Sequence, residues 1–320
     1  MPVADPAPRD HSRQRPARPA PPLHGFLVID KPAGWTSFDV VARARRLLAV
    51  RKIGHAGTLD PAATGVLPLA VGHATRVLEY LAVADKAYRA EITFGVETDS
   101  HDRDGQVTAT HDAAALTREG IETALAGFRG AIAQIPPMHA AIKVDGQRLY
   151  ELARRGEEVE RAPRPVVISR LDFLAWTPPV ATLLVECSKG TYIRALARDL
   201  GTVTGGGAYL SNLVRTRAGP FTLDAAITLD DLPAADLPAA WPKLAIPSDA
   251  VLADWPALTL DAAETIAWHH GKLVRREAMG DEPAPQRARV YDSSGHWIGI
   301  GLADETGRSW RPAKVITHGT

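Results

Sequence analysis

Apolar residues recur with two distinct periods along this chain, and the periods divide it into elements. Residues 87–94, AYRAEITF, alternate: Tyr88, Ala90, Ile92 and Phe94 share one face, while Arg89, Glu91 and Thr93 share the other. A period of two predicts a half-buried strand with Tyr88 turned toward a core or a pocket. The runs 26-FLVID-30 and 65-GVLPLAVG-72 predict a short strand and a wholly apolar one, and two more strands are expected near 166–176 and 180–188. Helical spacing appears between the first two runs, where Val40, Val41, Ala44, Leu47 and Leu48 fall on one face. Thr36 with Asp39 three residues on reads as a variant capping box for that helix. Thr75 opens a short helix through Leu81, and 118–128 reads as a helix with Ile121, Ala124, Leu125 and Phe128 inward. In 191–200, Ile193, Leu196, Ala197 and Leu200 stand at i, i+3, i+4 and i+7, with Thr191 as a cap and Gly201 as the stop. Arg194 and Arg198 stack four apart on another face of it.

Between these elements, 99-DSHDRDGQ-106 reads as a polar turn. The stretch 134–156 opens on a double proline and continues as a basic helical segment stopped by Gly156. Past about residue 222 the composition shifts. From Asp224 to Glu264 there are eight acidic residues and one lysine, an acidic connector unsuited to nucleic acid. Strands 287–292 and 296–304 then flank a Ser-Ser-Gly turn, and predict a small all-β unit from about residue 250.

With 320 residues, 45% of them hydrophobic and 23% charged, the chain can build a sizeable core in two or three domains. Formal net charge is zero, which excludes a uniformly basic coat protein, but the charge is uneven. Arg43, Arg45, Arg46, Arg51 and Lys52 follow one another with no acidic residue between 40 and 59. Lys189, Arg194, Arg198, Arg215 and Arg217 face only Asp199 in a second basic interval. Such stretches are either solvated faces or phosphate contacts. The single cysteine, Cys187, excludes a disulfide framework and a CxxC metal site, and reads as a small core residue in a strand. No apolar run is long enough for a membrane-spanning helix. The Arg/Pro-rich start, residues 1–22, lacks the apolar stretch of a secretory signal and reads as a disordered tail, so a cytoplasmic protein is expected.

Candidate chemistry centres on 54-GHAGTLDPAATG-65, which holds one carboxylate, Asp60, among three glycines and a proline. Such a loop is either a turn with an aspartate cap or a device that presents a carboxylate to a ligand. In 189-KGTYIRALARDLG-201, Tyr192 sits at a helix start and Arg194 can reach a carboxylate; an arginine beside Asp60 would keep it ionised, and the other reading is a solvated amphipathic helix with an incidental tyrosine. Tyr88, Tyr192 and His55 could stack on a splayed-out base or be core residues. His269 and His270 read as surface residues without a third metal ligand. Neither a GxxxxGK[ST] loop nor a GxSxG elbow is present, and no nucleotide cofactor is implied.

Six stretches in order carry a resemblance: 25-GFLVIDKPAGWTSFDVV-41, 54-GHAGTLDPAATGVLPLAVGHATR-76, 86-KAYRAEITFGVETDSHDRDG-105, 134-QIPPMHAAIKVDGQRLYELAR-154, 188-SKGTYIRALARDLG-201 and 206-GGAYLSNLVRTRAGPF-221. Together they resemble the TruB-type tRNA pseudouridine-55 synthases, over about residues 24–320. The resemblance implies an α+β fold: a mixed, largely antiparallel sheet flanked by helices, with an RNA-gripping insertion at about 129–156. It implies a catalytic domain over 23–247 and a small all-β PUA-like RNA-binding domain over 248–320. It makes Asp60 the catalytic aspartate, pairs Arg194 with it and sets Tyr88 against the target uracil. His55, Tyr192 and Leu213 would shape the uridine pocket, and Lys31, Lys143 and Arg215 are candidate RNA contacts. The implied substrate is the T-arm of tRNA, with one T-loop uridine isomerised by a monomer that needs no cofactor, metal or protein partner. The chain departs from the family at Tyr209 (usually His), Val214 (usually Arg) and Ala140-Ala141 (usually Ser-Ala), which bears on secondary RNA contacts. A non-catalytic RNA-binding or tRNA-folding module, and a guide-RNA-dependent enzyme acting on ribosomal RNA, are the competing readings. The uninterrupted insertion favours the stand-alone form. A one-carboxylate glycosidase fits less well, since no paired acid is evident.

Overall fold

The computed structural model describes residues 23–138, 140, 143–144, 147–149, 152, 155, 157, 159–233, 236–275 and 285–317. The Arg/Pro tail and most of the basic segment at 139–158 lie outside the described residues.

The strands of the first two-thirds are β1 (Gly25–Lys31), β2 (Ile53–His55), β3 (Thr64–Val71), β4 (Lys86–Phe94), β5 (Val96–Thr98), β6 (Val107–Thr110), β7 (Gly130–Gln134), β8 (Lys143–Val144), β9 (Gln147–Arg148), β10 (Arg164–Thr177), β11 (Val180–Cys187), β12 (Ala208–Ala218) and β13 (Phe221–Thr222). Nine of them form one sheet in the order β1-β3-β12-β4-β11-β10-β7, with β2 added to β3 and β13 to β12. Every pair is antiparallel except β3 and β12, which run parallel with Gly65 opposite Arg215. The expected mixed, largely antiparallel sheet is present.

Period-two burial explains the central strands. In β4 the side chains of Tyr88, Ala90, Ile92 and Phe94 are buried, and they join Leu183, Val185, Leu196 and Leu200 in one core. Helices α3 (Arg118–Leu125) and α4 (Ile193–Thr204) lie over that face. The outer strands β1 and β3 are covered twice. Leu27, Ile29, Leu67 and Leu69 meet α1 (Ser37–Leu48) on one side. Phe26, Val28, Val66 and Ala70 meet α2 (Leu78–Val83) and the C-terminal sheet on the other. Two covered faces explain why the β3 run carries no polar alternation.

Helix ends show where local signals hold. Thr36 and Asp39 close the expected capping box on α1. Helix α4 passes through Gly201, which was expected to stop it, and ends at Thr204, with Gly205 in the left-handed region. Gly201 is needed for close packing instead: a Cβ there would lie 2.3 Å from the Ala208 nitrogen. Thr191 does not cap α4, because its hydroxyl donates to the Ser188 carbonyl. A 3-10 turn over Gly72–Val77 precedes α2, where one helix from Thr75 was expected, and α3 tightens to 3-10 geometry over Ala126–Phe128. Residues 130–134, expected within the insertion, form edge strand β7 of the main sheet.

The C-terminal third carries α5 (Leu237–Leu244), β14 (Ala257–Thr259), α6 (Ala262–His269), β15 (Val274–Arg275), β16 (Arg287–Tyr291), β17 (Trp297–Ala303) and β18 (Ser309–Val315). A separate sheet forms in the order β14-β16-β17-β18-β15, and Trp268 and Trp310 fill its core. It shares apolar contacts with the main sheet: Trp297, Ile300 and Ile316 pack in one cluster with Phe26, Val28 and Val77.

Gly65, the second residue of β3, sits at φ +96°, and a Cβ there would lie 2.3 Å from the Arg215 carbonyl oxygen. Gly65→Ala is expected to cost about 3 kcal/mol or more from strain and overlap with backbone. Urea unfolding midpoints of the two proteins check this.

Candidate active site

The loop between β2 and β3 is held on both sides of Asp60. Before it, Leu59 buries its side chain in the main core, and its N–H donates to the Ser37 hydroxyl at 2.9 Å. After it, the Pro61 carbonyl accepts from the Gly34 N–H at 2.8 Å and from Lys31 Nζ at 3.0 Å. Lys31 also donates to the carbonyls of Pro32 and Trp35, and burial pushes its ammonium down to about 8. From the other side, Arg215 donates through Nη1 to the Gly57 carbonyl and through Nε to that of Val66, at 2.9 and 2.7 Å. The backbone on either flank is thus tied to two buried cations, while the Asp60 side chain remains 44% exposed.

Arg194, in the first turn of α4, meets that carboxylate. Its Nε lies 3.0 Å from Asp60 Oδ2, and its side chain is only 7% exposed. The opposite edge of the guanidinium faces Asp102, with Nη1 3.5 Å from Oδ2. Asp102 is itself fixed, since its Oδ1 accepts from the Ser100 hydroxyl at 2.6 Å and from the Asp104 N–H at 3.1 Å. A fork held at both ends cannot rotate freely, so Arg194 presents a fixed edge to Asp60.

Asp60 and Arg194 line a cavity of about 310 Å³ with Tyr88, Tyr192 and Leu213. Burial pushes both phenols up, and at Tyr88 the Arg215 cation pulls the other way. Tyr192 is anchored at the start of α4 by Gln134, whose amide oxygen accepts from the Tyr192 N–H at 2.8 Å and whose amide nitrogen donates to its carbonyl at 3.1 Å. The described part of the insertion reaches the same wall: Ala140, Leu149 and Leu152 cluster against Tyr192. A carboxylate fixed by a buried guanidinium, beside two aromatic rings in a small cavity, can hold a flat ring and act on it as nucleophile or base.

The structure brings together Asp60, Tyr88, Tyr192, Arg194 and Leu213. His55 is on β2 and does not line the cavity; burial lowers its imidazole pKa. Lys31 and Arg215, expected among the RNA contacts, are 0% and 1% exposed and bind backbone carbonyls of the loop. They are corrected to loop supports, because a side chain at that depth cannot meet a surface phosphate. The Lys143 side chain lies outside the described residues. Arg194 is buried rather than stacked on an open face with Arg198, which donates instead to Asp199 and to the Ile135 carbonyl. Cys187 is buried in β11 as expected. His270 is exposed and His269 half-buried.

Sequence reasoning missed Asp102, Gln134 and Lys86. Lys86 lines the cavity two residues from Tyr88 on the same strand face, so the alternation carried the signal one step further than it was read. Asp102 sat in a polar turn with nothing local to distinguish it from its neighbours.

Three family models match: the N-terminal domain of the TruB family pseudouridylate synthases over residues 45–193, the C-terminal domain of tRNA pseudouridylate synthase B over 194–242, and the pseudouridine synthase II TruB C-terminal domain over 256–312. Among curated relatives, tRNA pseudouridine synthase B of Pseudomonas aeruginosa is 46% identical over 289 residues, 89% of this chain and 94% of that protein. The protein of the same name from Symbiobacterium thermophilum is 53% identical over 252 residues, 78% of this chain and 82% of its own length. That from Dehalococcoides mccartyi is 43% identical over 294 residues, 92% of this chain and 97% of the relative. Among solved structures, a chain of a Cbf5-Nop10-Gar1 complex superposes with TM-score 0.68 at 26% identity, covering 96% of this chain and 91% of its own. A chain of an H/ACA RNP bound to a substrate RNA containing 2′-deoxyuridine gives TM-score 0.68 at 23% identity, covering 95% and 92%.

His101 stands next to this network at φ 61°, and burial, with Arg198 and Arg194 beside it, holds its imidazole down at about 4. A neutral folded-state imidazole contributes fully above the unfolded pKa of 6.5, and its contribution is lost as pH falls from there toward about 4. His101→Asn, which tolerates the left-handed backbone, is expected to flatten that decline. Urea midpoints of both proteins at several pH values in this window check it.

Proposed function

The chain belongs to the TruB family of pseudouridylate synthases, and we propose that it isomerises one T-loop uridine of tRNA with Asp60 as the reacting carboxylate. It is a pseudouridine synthase, and the tRNA enzymes at 43–53% identity over most of the chain carry tRNA as its substrate. Conversion of uridine to pseudouridine breaks N1–C1′ and forms C5–C1′. Atoms are conserved and no electrons are gained or lost. The protein must therefore expose the base, cleave one bond, hold the free ring and rebuild the bond at another carbon.

One observation carries the assignment of Asp60: it is the carboxylate that projects into the cavity while a buried guanidinium fixes it at 3.0 Å. A target base in an RNA loop must leave its stack to enter a pocket of this kind. Tyr88 supplies the ring on which it stacks, and Leu213 and Tyr192 close the sides. Apolar walls exclude the water that would hydrolyse the sugar once the base has left. Asp60 then bonds C1′, or removes the C2′ proton to leave a glycal, or adds to C6 of the ring. Arg194 serves each route alike, by holding the carboxylate at one angle and stabilising its changing charge. Residues 23–247 form the catalytic unit in this reading, and 248–320 a PUA-like RNA-binding unit. The protein works as a cytoplasmic monomer without a partner protein. Among the described residues no helix is long and apolar enough to cross a membrane.

Asp60→Asn is expected to give no pseudouridine on an unmodified tRNA transcript while its affinity stays within about threefold of wild type. Base-resolution pseudouridine mapping and filter binding test this, and equal loss of binding would make Asp60 a structural residue. Arg194→Ala is expected to lower the single-turnover rate about 100-fold or more with a much smaller change in Kd. An unchanged rate would remove Arg194 from the mechanism.

A further inference from the structure

Two cations lie at the floor of the cavity, and neither belongs to the Asp60–Arg194–Asp102 chain. Lys86 is 7% exposed and Arg215 1% exposed, and both line the pocket. They are close together: a Cβ built on Gly57 would stand 3.3 Å from Arg215 Nη1 and 3.6 Å from Lys86 Cε. Each strand carrying them pairs with the other, so they share the floor with Tyr88, which lies opposite Arg215 and two residues along from Lys86. Among the described residues neither forms an ion pair with a carboxylate. Lys86 Nζ donates to the Ala82 and Ala84 carbonyls at the end of α2, which occupies two of its three N–H groups. Among the described residues Arg215 Nη2 is buried without a close hydrogen bond, and the Tyr88 phenol is the side chain its charge couples to.

Burying one cation without a counter-charge is costly, and a second beside it costs more. The proximity shows in the Lys86 ammonium, which burial lowers first and the Arg215 charge lowers further. The backbone carbonyls account for the shape of the floor but leave its net positive charge in place. A neutral uracil gains little from such a floor. A ring that has lost C1′ gains much more, because the electron pair of the broken bond stays with N1 and spreads onto O2 and, through C5=C6, onto O4. Addition of Asp60 at C6 would likewise push charge onto O4. Every route therefore places negative charge on a carbonyl oxygen of the ring, and only while the ring is in transit.

We propose that Lys86, backed by Arg215, is a catalytic residue whose third N–H bonds a carbonyl oxygen of the flipped uracil and stabilises the charge the ring carries between bond cleavage and re-formation. This rests on the reading that the cavity holds the target uracil. A donor that meets charge present only in the transition state and intermediate raises rate rather than affinity. It also keeps the detached ring in place while it turns from N1 to C5. The depth of Lys86 favours the ring over a phosphate as its partner, and the exposed Lys189 at the same pocket is the group a phosphate would meet first.

The test is single-turnover isomerisation, followed by tritium release from C5, on tRNA carrying uridine, 2-thiouridine or 4-thiouridine at the target position. Lys86→Met and Lys86→Gln, which removes the charge but keeps a donor for the helix carbonyls, are compared with wild type. Both variants are expected to lose about 100-fold in rate on uridine, with Kd within about threefold. Sulfur at the bonded carbonyl accepts hydrogen bonds poorly, so it should slow wild type about tenfold and the variants hardly at all. The position that shows this coupling identifies O2 or O4. Equal losses on all three substrates would make Lys86 a structural cap of α2 and overturn the proposal. Weaker binding with an unchanged saturating rate would make it a phosphate contact and overturn it as well. Should neither variant fold, wild type decides: sulfur at neither carbonyl slowing the reaction overturns the proposal. Failure of the underlying reading is visible separately, since wild type would then form no pseudouridine on the uridine substrate.

Discussion

The backbone on both flanks of Asp60 is tied down by hydrogen bonds between buried cations and backbone carbonyls, and the role proposed for that carboxylate depends on this grip. Lys31 holds Pro61 and Arg215 holds Gly57 and Val66, so the chain is gripped on both flanks of one exposed carboxylate. Carboxylate partners for these two cations would have neutralised the surroundings of the site. Carbonyl partners satisfy the donors and leave the positive field intact. Loop geometry and pocket electrostatics thus have one source.

Sheet topology puts that grip where it can act. The parallel pairing of β3 with β12 sets Gly65 opposite Arg215, so the strand that follows the loop and the strand that supplies the arginine meet at one point. Across the sheet, β4 supplies Tyr88 and α4 supplies Arg194. Four elements far apart in sequence converge on this one cavity; β4, α4 and part of β12 share one core, and β3 is packed into the two others.

Much of this was legible in the sequence. The alternation of 87–94, the capping box at Thr36 and Asp39, and the paired strands around the Ser-Ser-Gly turn all depend on neighbours within a few residues, and all three form. The stop at Gly201 was misread, because that glycine answers to Ala208 across a tertiary contact that no local pattern reports. Lys31 and Arg215 were read as surface charges for the same reason: their acceptors are carbonyls up to 158 positions away. Asp102 is legible only through Arg194. Local patterns predicted the elements, and the family resemblance drew the proposed site residues together, but the buried polar network that braces them is non-local by construction.

That non-locality bears on how the protein is made. Strand β1 carries Lys31, and its edge pairs with Ile227 and Ile246 while its outer face waits for Trp297, Ile300 and Ile316. During synthesis Trp297, the first of those three apolar partners, leaves the ribosome about 266 residues after Lys31 ends β1. A nascent chain can fold β4, β10 and β11 early, yet the strand that braces the Asp60 loop stays half-covered until the last sheet arrives. Support for the Asp60 loop thereby reaches from residue 26 to residue 316, and a chain stalled before residue 297 would lack the apolar cover of that strand.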